Sequence, residues 1–150
     1  MEKTPYLRGM VGDRPFSDIL ARLRAVGLRP TRQRLALGKL LFAGGNRHVT
    51  AEMLHEEAAH ANIKVSLATV YNTLNQFTDA GLLREVVVEA GRSYFDTNTS
   101  DHHHFFHVDS GDLEDLSGHD LHLAKMPDLP QGTALDRVDV VIRVRNVTEN

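Results

Sequence analysis

The chain has 150 residues, 41% hydrophobic and 25% charged, proportions that predict a soluble globular protein of one ordinary domain or two small ones. It contains no cysteine, which excludes disulfides, thiolate catalysis and Cys-ligated zinc or iron–sulfur centres; any bound metal must use nitrogen and oxygen donors. Net charge is −3, yet residues 1–47 hold ten Lys/Arg against three Asp/Glu while the remainder hold seven against seventeen, an asymmetry suited to a front end that meets a polyanion.

Residues 1–15 show no periodicity and carry Pro5, Gly9 and Gly12, so a flexible arm is expected. Phe16, Ile19, Leu20 and Leu23 then recur at helical spacing, with Asp18 near the start and Gly27 after the end. Thr31 is an N-cap for a second helix through Leu35, Leu37, Leu40 and Leu41, stopped by Gly44-Gly45. Thr50 opens a third helix that runs to about His60, and Ala61–Val65 is a short connection. Ser66 caps a fourth helix, Leu67–Ala80, ended by Gly81.

On a helical wheel Leu67, Val70, Leu74 and Phe77 of that helix form one stripe. Ala68, Asn72, Asn75 and Gln76 fall opposite, flanked by Thr69 and Tyr71, with no charge before Asp79. A solvated face normally carries Glu and Lys. Uncharged groups that both donate and accept hydrogen bonds are the kind that read base edges in the major groove. Leu82–Val88 and Ser93–Asp96, turned at Gly91, read as a hairpin. Helices followed by a hairpin predict a winged helix-turn-helix domain over residues 16–97, with the basic front end supplying phosphate contacts.

The pattern changes at Asp101-His102-His103-His104-Phe105-Phe106-His107. Tags of histidine sit at termini, whereas this run lies mid-chain beside strand formers. As a strand it would set His102 and His104 on one face and His103 on the other, and imidazoles at i and i+2 make half a transition-metal or haem site. Two short strands, His102–Val108 and Leu113–Leu116, joined at Ser110-Gly111, are expected, then a short helix around Leu121, a link through Pro127 and Pro130, and a last strand Val138–Val147. So small an α/β unit over residues 98–150 buries little core alone, and self-association is the natural remedy. The fold class expected is thus α+β. No apolar run approaches the roughly 18 residues of a membrane span and no signal-peptide pattern opens the chain, so a cytoplasmic protein without a membrane partner is expected.

Three stretches together resemble the ferric uptake regulator family. Ser66-Leu67-Ala68-Thr69-Val70-Tyr71 with Leu74-Asn75-Gln76-Phe77 and Asp79-Ala80-Gly81 is similar to its recognition helix. His48-Val49-Thr50-Ala51-Glu52 is similar to its hinge-side metal motif, and Gly27 through Arg34 to its DNA-facing second segment. The likeness spans about residues 16–145. Within the family, His102–Phe106, Asn72 and the missing cysteines are most similar to the iron response regulators of alpha-proteobacteria.

The resemblance implies a homodimer that binds a palindromic double-stranded operator through Arg29, Ser66, Ala68, Thr69, Tyr71 and Asn72. It implies a regulatory site for Fe or Mn, or for Zn, at His48, Asp96, His102, His104 and Asp115, and a second site at Asp101, His103 and His122. It also implies haem sensing, with haem on His102, His103 or His104 because no Cys-Pro motif exists. Operators would be held when iron is scarce and released when haem is plentiful, mainly as a repressor of iron and haem metabolism genes. Two departures stand out: His107 and Ser110 occupy the place of the family's zinc-binding cysteines, and Asn72 replaces an Arg, which would alter operator preference. The competing readings are a non-haem metalloenzyme built on two His and a carboxylate, or a metal- or haem-binding storage protein. Against the enzyme, no separate acid, base or nucleophile presents itself.

Overall fold

Capping side chains and apolar stripes account for the helices of the first half. In the computed structural model, which describes residues 17–117 and 120–148, residues 17–25 are helical (α1), followed by α2, Arg32–Phe42, α3, Ala51–His60, and α4, Leu67–Asp79. The expected arm over residues 1–15, and Phe16 of the first helix, lie outside the described residues. Each cap named from sequence bonds as expected: Thr31, Thr50 and Ser66 accept from the backbone N–H of Arg34, Met53 and Thr69. Gly81, at φ +84°, follows the C-cap Ala80 in the left-handed conformation that a side chain would resist.

Three strands complete this half: β1, His48–Val49, β2, Arg84–Glu89, and β3, Arg92–Asp96, antiparallel in the order β1-β3-β2. The two-residue β1 was not anticipated, being too short to show alternation. Leu37, Leu41, Leu54, Val70, Leu74 and Phe77 close one core with Val49 and Phe95 from the sheet and Leu83 from the loop just before β2. Thr73 is buried in the apolar stripe of α4; its hydroxyl donates to the Thr69 carbonyl at 2.8 Å, which satisfies it.

The chain divides into two units, Met1–Thr99 and Ser100–Asn150. The second holds β4, His104–His107, β5, Leu113–Asp115, and β6, Val141–Val144, ordered β5-β4-β6. β4 runs antiparallel to β5 and parallel to β6. Helices and an antiparallel sheet in one unit and a small mixed sheet in the other make the fold α+β.

Three expectations are corrected here. His102 lies before the strand, because pairing on β4 starts only at His104, opposite Asp115 and Val141. The last strand covers Val141–Val144 instead of Val138–Val147, since β4 has only four residues to pair with it. No helix forms around Leu121 among the described residues; Leu123, Met126 and Leu129 are exposed there, so a helix would have had no core to pack on. No helix of the described residues is long and apolar enough to cross a membrane.

Candidate metal centre and nucleic-acid interface

Strand register assembles the donors of the second unit. His104 and Asp115 are cross-strand partners of β4 and β5, so their side chains leave the same face. His104 Nε2 stands 3.1 Å from Asp115 Oδ1, and His102 Nε2 stands 3.6 Å from the same oxygen. The two rings lie 4.5 Å apart at 62°. His104 is 2% and His102 8% exposed, which is unusual burial for imidazoles, while Asp115 opens to solvent.

His102 lies outside the strand, and a backbone carbonyl aims it instead. Its Nδ1 donates to the Ser100 carbonyl at 2.7 Å, which places the proton on that nitrogen and leaves the Nε2 lone pair toward His104 and Asp115. One donor atom from each of the three residues lies within 4.8 Å of the others. Two neutral imidazoles and a carboxylate, in a chain without thiols, suit a divalent transition ion such as zinc, iron or manganese. The donor set fits.

His103 points elsewhere. Its Nδ1 accepts the Val140 backbone N–H at 3.1 Å, fastening the chain that enters β6, so its proton sits on Nε2. Asp101 and His122 are exposed, and among the described residues they and His103 are not drawn into a common donor set. His107 donates from Nε2 to Glu114 Oε2 at 2.8 Å, and the Ser110 hydroxyl accepts from the Asp112 N–H; these are local ties of the β4–β5 hairpin.

In the first unit, β-pairing sets His48 and Arg84 on either side of Asp96 in one row across the sheet. Asp96 is 1% and Arg84 3% exposed. The Asp96 carboxylate accepts the Asn98 N–H at 2.9 Å, and the His48 ring meets Tyr94 edge-on at 5.8 Å. Sequence reading missed Arg84, whose place beside Asp96 depends on a register visible only once the strands pair.

On α4, Val70, Thr73, Leu74 and Phe77 are buried, while Ala68, Tyr71, Asn72, Asn75 and Gln76 are exposed. Several polar atoms of that face are engaged within the protein. Ser66 Oγ caps Thr69 N and donates to the Thr69 hydroxyl at 2.9 Å. Gln76 Oε1 accepts from Arg34 Nε and Nη2 at 3.2 and 3.0 Å, while Arg34 Nη1 reaches the Arg29 carbonyl. Tyr71 donates its hydroxyl to Glu52 Oε1 at 2.6 Å. Asn72 and Asn75 keep amides that no described residue engages. Arg29 is exposed at the turn before α2. The Arg34–Gln76 and Tyr71–Glu52 ties were not foreseen; residues 42 and 19 positions apart give no local signal.

A helical unit with a hairpin wing, joined in one chain to a mixed sheet bearing a His/Asp donor set, defines a class of DNA-binding regulator. Comparison with known proteins narrows it. The model of the ferric uptake regulator family matches residues 25–136. The ferric uptake regulation protein of Shigella flexneri is 38% identical over 103 residues, covering 68% of this chain and 70% of that one. Among solved structures, the ferric uptake regulator of Pseudomonas aeruginosa with manganese superposes with a TM-score of 0.64 at 25% identity, covering 87% of this chain and 98% of that one. The Vibrio cholerae ferric uptake regulator shares the fold, with a TM-score of 0.65 at 24% identity over 84% and 98% of the two chains. The chain belongs to the ferric uptake regulator family. It is a transcription regulator, and the metalloenzyme reading of its histidines is set aside.

Proposed function

We propose that this protein is a homodimeric repressor, cytoplasmic in location, whose hold on operator DNA is set by a divalent transition metal at His102, His104 and Asp115. One observation carries the reading: two buried imidazoles turn their Nε2 atoms on a single carboxylate oxygen, and the Ser100 carbonyl holds one of them in the metal-binding tautomer. The Pseudomonas aeruginosa relative was solved with manganese, which agrees with this donor chemistry. A bound ion would offset the charge of the carboxylate it gathers. Binding energy would then favour the state of the protein that holds these donors together, and operator affinity would follow that shift.

Asn72 would read base edges, and Arg29, Ser66, Ala68, Thr69 and Tyr71 would contact the duplex around it. The test is a gel-shift titration on a palindromic duplex with apo, manganese-loaded and haem-loaded protein. Identical affinity in all three states would remove the regulatory site from the argument.

The finer reading is a haem response of the iron response regulator type. It rests on the His102–His104 run in a chain without cysteine. Iron at His103 would require its bond to Val140 to be given up, whereas His102 and His104 are buried. A haem titration that leaves the Soret band of the free porphyrin unshifted would end it. The second metal site, at Asp101, His103 and His122, stands on the family resemblance.

A further inference from the structure

We propose that Glu52 is a positioning residue for operator reading: its carboxylate takes the Tyr71 hydroxyl and holds the phenol so that the ring, not the hydroxyl, meets the DNA. The inference rests on the DNA-binding function proposed above and adds a residue to it. Tyr71 Oη lies 2.6 Å from Glu52 Oε1, within the short range of charge-assisted O–H···O⁻ bonds. A phenol has one proton to donate, and here another side chain of the protein takes it.

Glu52 is a firm anchor for its own reasons. It is the second residue of α3, directly after the Thr50–Ala51 start, where the unpaired N–H groups of a helix N-terminus favour a carboxylate. The Tyr71 hydrogen bond holds the Glu52 carboxyl below its ordinary range, assisted by its own backbone N–H and by Arg92, and the same bond pushes the Tyr71 phenol up. Thr50, Glu52, Tyr71, Gly91, Arg92 and Ser93 line one hollow, so the tie stands where α4 faces the turn of the wing. A free carboxylate beside a polyanion would oppose binding. This one is engaged by a hydroxyl, and the charge of Arg92, whose guanidinium pairs with Glu89, favours it from further off.

The test uses full-length, manganese-loaded protein, a duplex that the wild type selects from a random-sequence pool, and a scrambled duplex of equal length. Fluorescence anisotropy gives the ratio of the two affinities for Glu52→Gln, Glu52→Ala, Tyr71→Phe and the Glu52→Ala/Tyr71→Phe double variant. Glu52→Ala should lower that ratio about 10-fold, the scale of a hydrogen bond to a charged group. Glu52→Gln, which keeps an acceptor oxygen, should stay within about 2-fold of wild type, and the double variant should be no worse than either single one.

A Glu52→Ala ratio equal to that of wild type would reduce the tie to a structural one and overturn the proposal. So would additive losses in the double variant, which would mean that the hydroxyl itself touches DNA. Should Glu52→Ala melt below the assay temperature, Tyr71→Phe, which removes one oxygen, carries the same comparison with Glu52→Gln. A pool that yields no duplex would overturn the DNA-binding reading itself, a failure distinct from the others.

Discussion

At the level of single residues, the donor set owes its geometry to hydrogen bonds as much as to strand alternation. The i, i+2 spacing of His102 and His104 suggested a shared face, but β4 begins at His104 and the strand rule does not reach His102. The Ser100 carbonyl produces the same outcome by another route. A backbone acceptor has no residue-type signature, so this contact was illegible in the sequence, whereas the choice of imidazole and carboxylate was plain. On the metal site proposed above, His104→Ala should weaken metal binding by at least about 100-fold, read by isothermal titration, because it would remove a ligand where loss of a supporting hydrogen-bond partner alone costs about 10–100-fold. Protons compete with a metal ion for an imidazole nitrogen, so affinity for manganese should also fall on acidification. Affinity unchanged between pH 7.5 and 5.5 would argue against imidazole ligation.

The Tyr71–Glu52 tie has its own pH window. Glu52 is depressed below its ordinary 4.5, so its contribution is present above that value and is lost as pH falls through the lower folded value. Tyr71 is raised above its ordinary 10.0, so the phenol's contribution is complete below that value and is lost as pH rises through the higher one. The tie should therefore be intact across the neutral range. The Tyr71 ring signals in NMR should move only at the acid and alkaline extremes, and movement near pH 7 would contradict the contact.

Among elements, helices were read well because their determinants are local: a capping hydroxyl, an apolar stripe and a terminal glycine within a dozen residues. The interior Gly38 of α2 looks at first like a weakness in a helix, but a Cβ placed there would come within 2.7 Å of Ile19 Cγ2 on α1. Gly38 therefore lets α1 and α2 approach closely. Gly38→Ala should destabilise the protein by about 1–3 kcal/mol through overpacking, despite the better helix propensity of alanine. Chemical denaturation would measure it, and a stabilised variant would show that Ile19 yields easily. Phe77→Ala, in the fully buried stripe of α4, should cost about 3–5 kcal/mol. The residues after Asp115 were misread for the opposite reason. A short helix was expected around Leu121, but what decides a short helix is a surface to cover, and no window of sequence contains that.

For the molecule as a whole, charge and fold agree on a division of labour. The basic front end belongs to the helical unit, and operator affinity should fall steeply with salt, with a log–log slope set by the number of phosphates contacted. The sheet of the second unit has a more particular consequence. Its central strand β4 pairs on one side with β5, a few residues away, and on the other with β6, from Val141 onward. The hairpin closes a short loop and the parallel pairing a long one, and long loops form late because their closure entropy must be met before any contact repays it. His104 and Asp115 should therefore meet first, in the hairpin. The chain should possess a nascent ion-capturing nook before its domain is finished, and manganese present during refolding should accelerate the phase that builds β4–β5 without altering the slower arrival of β6.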